Sequence, residues 1–368
     1  MIKKVFKNLD YIILIIVFVF VAISVVALKS ASQGAGEVEV KYTKQIMWFV
    51  IGLFFVFGLS FFDYKDLKKL IPPAYIFILL LLFLVLKTTP INGATSWFRI
   101  GSASLQPSEF FKIVLILSIA SFIDFASEKE GINKIYNLLL SGLILAIPIL
   151  LIIKQPDYGT AIVGIFIFAV MIFSAGLSYK YIVPAFVLVI VAIPILYNFV
   201  LPTHAKNRID VFLNPNLDPR GAGYNIIQSE LAIGSGMLTG QGLFNGTQTQ
   251  MGLLPMKTTD FIFPVISEEM GFMTSAVIII LYGILLIRII NLSRNTKDTF
   301  GKLICIGVFA MIFSHVVENI GMCMGLLPIT GIPLPFISYG GSSMLTNMIA
   351  IGLLMSVAVH KKKHAYLP

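Results

Sequence analysis

Ten apolar runs, each about as long as one bilayer crossing, follow one another through this chain. They lie at 11–28, 45–61, 70–87, 109–126, 137–153, 158–174, 181–200, 264–287, 303–324 and 336–359. A helix needs roughly 20 apolar residues to cross the hydrocarbon core of a membrane. In that core only helices and closed barrels satisfy their own backbone polar groups. The pattern predicts an all-α, polytopic integral membrane protein with about ten transmembrane helices. Charged residues are 12% of the chain, about half of the ~25% usual in soluble domains. That is too few to cover a soluble surface. It excludes a disordered chain, a nucleic-acid-binding domain and a soluble cytosolic enzyme.

An even number of spans puts both termini on one side. Sixteen Lys and Arg fall on the side of the termini and six in the short loops opposite. The positive-inside rule therefore predicts cytoplasmic termini. The basic start (Lys3, Lys4, Lys7) before an apolar run has the look of a signal peptide. With nine further spans behind it, it reads as an uncleaved first helix. A large extracellular loop, about 201–263, then joins spans seven and eight. Loops of that length are usually functional. Within it, 224–238 has apolar positions at helical spacing and predicts a short amphipathic helix. No repeat or second soluble domain is visible, so residues 1–368 read as one membrane domain. Cys305 and Cys323 both lie in one apolar run and are not spaced as metal ligands.

Ionisable groups within or at the edge of spans are costly unless paired or hydrated. Glu109 and Lys112, in SLQPSEFFK, open the fourth span. Three residues apart, they can form a local ion pair, or form a polar cavity with Lys112 as a cationic floor suited to a phosphate. Asp157, in KQPDYGT, is either a helix-capping carboxylate or a carboxylate of an outer site, a candidate metal ligand. Asp260, in MKTTDFIF, stands where the long loop meets the eighth span. Lys257 is near it, and Glu268 and Glu269 follow within the span. These carboxylates read as a hydrated cap with an exposed pair below, or as acid–base groups facing the outer compartment. His315 and Glu318 share a face of the ninth span and read as a structural pair. The run PLPFISYGGSSMLTN contains Ser338, Gly340 and Gly341. It implies broken backbone, tolerated at membrane depth only inside protein or along a cavity. Trp97 is an interfacial anchor or a stacking platform for a sugar. P-loop, GxGxxG, HExxH, Asp-x-Asp and Cys-cluster motifs are absent from the sequence.

Several long segments are informative together. They are SWFRIGSASLQPSEFFK, KQPDYGTA, NPNLDPRGAGYNIIQSELAIGSGMLTGQGL, LPMKTTDFIFPVISEEMGF and NIGMCMGLLPITGIPLPFISYGGSS. They resemble, in order and spacing, the SEDS family of bacterial shape, elongation, division and sporulation proteins, from about residue 90 to 356. Gln155 and the GTQTQ run at 246–250 resemble the elongation branch more than the division branch.

The resemblance implies a peptidoglycan glycosyltransferase that polymerises lipid II outside the cytoplasmic membrane. It implies a class B penicillin-binding protein transpeptidase as partner, beside other membrane proteins of the elongation complex. It implies a divalent cation, Mg²⁺ or Mn²⁺, and no organic cofactor. Asp260 falls on the family's essential carboxylate. Trp97, Glu109, Lys112 and Asp157 fall on other motif positions tied to activity. Two positions depart from the family pattern: Ser96 stands where Arg is frequent, and Thr258 where His is frequent. Lys257 or Arg99 are the cations that could substitute.

The implied chemistry inverts the donor sugar, which needs a base on one face and charge stabilisation on the other. Asp260 is the expected base, its pKa raised by burial. Lys112, Arg208, Arg220 or Lys257 are expected to meet the pyrophosphate, with Mg²⁺ bridging and Asp157 and Asp260 as candidate ligands. The alternative is a flippase for the same lipid-linked precursor. Against it, the polar residues gather at one boundary, and no inverted set of broken helices appears in the other half. A scaffold would leave the costly carboxylates unexplained.

Overall fold

Each of the ten apolar runs falls on a helix, the tenth only from Gly341 onward, in the computed structural model, which describes residues 2–33, 41–90, 94–100, 103–129, 131–200, 203–219 and 221–361. The first elements are α1 (Ile2–Asn8), α2 (Tyr11–Gln33), α3 (Lys41–Phe61), a 3₁₀ turn (Tyr64–Leu70) and α4 (Ile71–Val85). Strands β1 (Phe98–Ile100) and β2 (Ala103–Leu105) precede α5 (Pro107–Lys129), α6 (Ile135–Lys154), α7 (Tyr158–Ser174) and α8 (Tyr179–Ile195). The long loop holds α9 (Thr203–Leu213), α10 (Ala222–Ser235) and α11 (Thr247–Gln250). The chain closes with α12 (Ile262–Arg294), α13 (Thr299–Cys323) and α14 (Gly341–His360). Among the described residues nine helices are long and apolar enough to cross a membrane, and the shorter α7 makes ten. The amphipathic helix expected at 224–238 is α10.

The buried centre is α13 and α14. α14 runs along α3, while α13 packs against α5, α7 and α12. Small residues allow the close approach. A Cβ on Gly52 would stand 2.5 Å from Met348 Cγ, and one on Gly341 would stand 2.6 Å from the Trp48 ring. Such contacts hold helices together where lipid removes the hydrophobic drive between them. α8 stands at the margin, with Phe186, Val187, Leu188 and Val189 exposed. At the end opposite the long loop, ion pairs tie helix to helix. Arg288 bonds Asp10 at 2.7 Å and Lys68 bonds Asp124 at 2.5 Å.

The hairpin was not legible as an apolar run. Phe98 pairs with Leu105, Arg99 with Ser104 and Ile100 with Ala103. Three residues per strand are too few for alternation to register. The hairpin sets Trp97 and Arg99 beside the start of α5.

α12 is broken. Gly271 has φ 78° and ψ −179°, which interrupts the helical ladder. Residues 237–242 of the long loop fill the break. Met237 and Leu238 carbonyls accept from Phe272 N (2.8 Å) and Met273 N (3.2 Å). Glu268 and Glu269 carbonyls accept from Gln241 N (2.9 Å) and Gly242 N (3.0 Å). Backbone groups freed by a break in a span must find such partners. The insertion locks the long loop onto the helix whose first turn follows Asp260.

Candidate active site

Four helices, α5, α7, α12 and α14, begin at the same end of the bundle. Helix N-termini carry partial positive charge and free backbone N–H groups, and they favour carboxylates. Asp157 caps α7: its Oδ1 accepts from Thr160 N at 3.2 Å. Its Oδ2 accepts from Gln106 Nε2 (3.1 Å) and Ser108 Oγ (2.9 Å). The capping reading is therefore correct, and it does not exclude the other. A cavity of about 480 Å³ opens here, and Asp157 lines it with Trp97, Arg99, Gln106, Glu109, Tyr158, Arg208, Met256, Thr259, Asp260, Gly331, Tyr339 and Gly340.

Asp260 is not a helix cap, since α12 begins without a side-chain cap bond. Its carboxylate lines the cavity instead. Lost water raises its pKa above the ordinary value, and a hydrogen bond from Thr259 and the charge of Arg208 pull part of the way back. The backbone around it is held from several sides. Asn319 Nδ2 donates to the Asp260 carbonyl at 2.9 Å. Ser338 Oγ donates to Thr259 O at 2.6 Å, and Tyr339 N to Thr258 O at 2.9 Å. Gly331 has φ 77°, and a Cβ there would lie 3.6 Å from Asp260 Oδ2. A side chain at 331 would crowd the carboxylate.

Glu109 and Lys112 pair as expected, at 2.8 Å. Lys112 also meets His315 Nε2 at 2.9 Å. An ammonium has no acceptor, so His315 Nε2 accepts from it. The floor assigned to Lys112 is corrected by this geometry. Lys112 is fully buried beneath the cavity and Glu109 lines it. One helical turn separates them, and Lys112 spends its two bonds on Glu109 above it and on the buried His315.

Four other expected residues also lie off the cavity lining. Glu268 accepts from Gln248 N (2.7 Å), Thr249 N (3.0 Å) and Thr249 Oγ1 (2.7 Å), at the start of α11. Glu269 Oε1 accepts from Ser30 Oγ (2.6 Å) and Gln250 Nε2 (2.9 Å). Both carboxylates are buried fasteners of the long loop, so the exposed-pair reading fails. Lys257 is buried, and its Nζ donates to Thr249 O at 2.9 Å. Ser338 supports Thr259 from behind. His315 and Glu318 do not form the expected pair; His315 turns to Lys112. Arg220 lies outside the described residues. The cations that line the cavity are Arg99 and Arg208, and Arg208 Nη1 donates to Ile329 O at 3.2 Å.

Ser96 and Thr258, the departures from the family pattern, are both buried. Thr258 Oγ1 accepts from Lys41 Nζ at 3.1 Å, so a cation stands next to this position from α3. Gln106, Tyr158, Tyr339 and Asn319 were missed. Their signal was faint: each adjoins a motif already noticed, but neutral residues raise no desolvation alarm.

Among the described residues no group of three His, Cys, Asp or Glu could hold a metal ion. Asp157 has its oxygens engaged by three protein donors. The donor set does not form an all-protein cage. A Mg²⁺-like ion there would need phosphate oxygens of a bound molecule beside any single carboxylate of the lining.

The chain is similar in sequence and in fold to known proteins. Peptidoglycan glycosyltransferase MrdB of Escherichia coli (strain K12) is 39% identical over 292 residues, covering 79% of this chain and 78% of that protein. One similar solved chain comes from a study of structural coordination of polymerization and crosslinking by a peptidoglycan synthase complex. It is 29% identical, covers 95% of this chain and 97% of its own length, and has TM-score 0.80. The rod shape determining protein RodA of Thermus thermophilus is 28% identical, with 96% and 98% covered and TM-score 0.71. The sequence model of the FtsW, RodA and SpoVE family, described as cell cycle protein, matches residues 7–363, and the chain belongs to that family of multi-pass membrane proteins.

Proposed function

We propose that this chain is a peptidoglycan glycosyltransferase that polymerises lipid II on the outer face of a bacterial cytoplasmic membrane, with both termini in the cytoplasm. The observation that carries the reading is Asp260. Its carboxylate is held at the wall of a cavity at the long-loop end, with Arg99 and Arg208 on the same cavity. The names of the similar proteins support the same reaction class.

The 4-hydroxyl of an acceptor GlcNAc attacks C1 of a donor MurNAc. The C1–O bond to the pyrophosphate breaks, undecaprenyl pyrophosphate leaves, and the anomeric centre inverts. Asp260 takes the hydroxyl proton. A positioned base contributes about 10²–10⁴-fold, and its raised pKa brings it nearer the working pH. Arg99 and Arg208 replace Lys112 as the groups that meet the pyrophosphate. Glu109 keeps the cavity floor anionic, with Lys112 balancing it from below. A divalent ion, if bound, would be held by the pyrophosphate and a carboxylate other than the base, Asp157 being the candidate on the cavity lining, and would neutralise charge developing on the leaving group. Trp97, Tyr158 and Tyr339 supply aromatic surface for the sugar rings. A class B penicillin-binding protein is the partner transpeptidase, in keeping with the synthase complex among the similar structures.

The flippase reading needs a polar path through the bundle. Beneath this cavity the buried Glu109–Lys112–His315 cluster closes the floor. The test is the purified chain in liposomes with lipid II and Mg²⁺ or Mn²⁺, with and without the partner. Glycan polymer on a gel is expected. No polymer in either set, with lipid II crossing the bilayer, would favour the flippase.

A further inference from the structure

Residues 315, 319 and 323 of α13 lie four apart and so share one face of the helix. That face lies behind the cavity lining and contacts Lys112 of α5 and the turn that carries Asp260. His315 bonds Lys112 at 2.9 Å, beneath Glu109. One turn on, Asn319 Nδ2 donates to the carbonyls of Asp260 (2.9 Å) and Ile332 (2.8 Å). Another turn on, Cys323 Sγ reaches the Asp260 carbonyl at 3.6 Å.

Asn319 is fully buried. The two groups facing its amide are carbonyl oxygens, so only the NH₂ end can face them. Its Oδ1 has no protein partner among the described residues. The two donated bonds therefore fix the side chain. They also join two separate segments: the turn that carries Asp260, and the segment that carries Gly331, whose Cα faces the Asp260 carboxylate. The Asp260 carboxylate takes a hydrogen bond from Thr259 next to it in the chain and caps no helix, so its direction follows the turn that Asn319 holds.

We infer that Asn319 is the positioning residue of Asp260: by clamping the Asp260 and Ile332 carbonyls it aims the carboxylate across the cavity. This rests on the reading of Asp260 as the base. Asn319 touches no substrate. Its removal lets the carboxylate drift without changing the groups that bind lipid II. A misplacement of about 1 Å far from the bond being made can cost ~10²-fold.

The test uses the full-length chain in detergent with lipid II and Mg²⁺ or Mn²⁺. Wild type, Asn319→Ala, Asn319→Ser and Asp260→Asn are assayed over a range of lipid II concentrations, and thermal unfolding of each is recorded. The expected result is folded alanine and serine variants whose kcat falls ~10–100-fold while KM stays within about twofold, the signature of a lost transition-state interaction. Serine, which keeps one shorter donor, should fall less than alanine. A fall carried by KM, or loss of folded protein in both variants, would make Asn319 structural and overturn the inference. If Asp260→Asn is inactive while Asn319→Ala turns over normally, the positioning role alone fails. If Asp260→Asn turns over like the wild type, the base assignment fails and takes the positioning role with it.

Discussion

Replacing Lys112 with Met exposes how the cavity floor is built. The Lys112 and Glu109 side chains are 0% and 3% exposed, and their charged atoms are 2.8 Å apart. Water does not screen this pair, so the small energies of surface ion pairs do not apply. Lys112→Met matches the volume but strands the Glu109 carboxylate, whose Oε2 already has no partner among the described residues. Breaking a buried pair by removing one partner costs about 3–5 kcal/mol. Glu109→Gln should cost less, since the amide oxygen still accepts from Lys112. The double variant, Glu109→Gln with Lys112→Met, removes both charges and should be more stable than Lys112→Met alone. The coupling between the two sites should reach about 2–3 kcal/mol. Denaturant titration of helicity for the four proteins in one detergent measures it. Additive losses, or a Lys112→Met loss below about 1 kcal/mol, would mean the pair is hydrated, and the closed floor would be wrong.

Four further variants have outcomes that follow from the structure. Gly240→Ala places a Cβ 2.2 Å from Glu269 O at φ 84°. With a left-handed penalty of roughly 1–2 kcal/mol and about 1 kcal/mol for each displaced loop bond, it should destabilise by about 3–4 kcal/mol. Gly58→Ala, with nothing within 4 Å, should leave stability nearly unchanged in the same unfolding assay. The Asp260 pKa is raised, so the folded state holds this proton more tightly than the unfolded state, and the group's contribution to stability falls as pH rises through that interval. Asp260→Asn should therefore be more stable than wild type at neutral pH, whereas wild-type turnover should decline as acid protonates the base; a pH series of melting and of initial rates checks both. Arg208→Ala should raise KM for lipid II several-fold and flatten its dependence on salt, as loss of a steering charge does.

The bundle was legible because crossing a membrane imposes a crude rule, an apolar run of fixed length, and no packing detail is needed to see it. The cavity was legible in part because Asp260, Glu109 and Asp157 are carboxylates where carboxylates are expensive. That same alarm misled at Glu268 and Glu269. The cost is real there, but backbone, hydroxyl and amide donors of α11 and a serine of α2 meet it. Only the fold could show those donors, since Thr249 and Ser30 are distant in sequence. Lys112 failed for a different reason. Sequence gives its helical face, but one turn of depth decides between a phosphate site and a buried counter-ion. The break in α12 was hidden because Gly271 sits inside the stretch that reads as the eighth span, where a lone glycine gives no sign of a broken helix. Its partner segment, 237–242, belongs to a loop whose register no periodicity reveals.

The most direct measurement compares wild type with Asp260→Asn in lipid II polymerisation and, separately, in lipid II binding. The account expects the variant to stay folded and bind lipid II like the wild type, while glycan formation drops by about 10²-fold or more. Polymerisation by Asp260→Asn at the wild-type rate would contradict it.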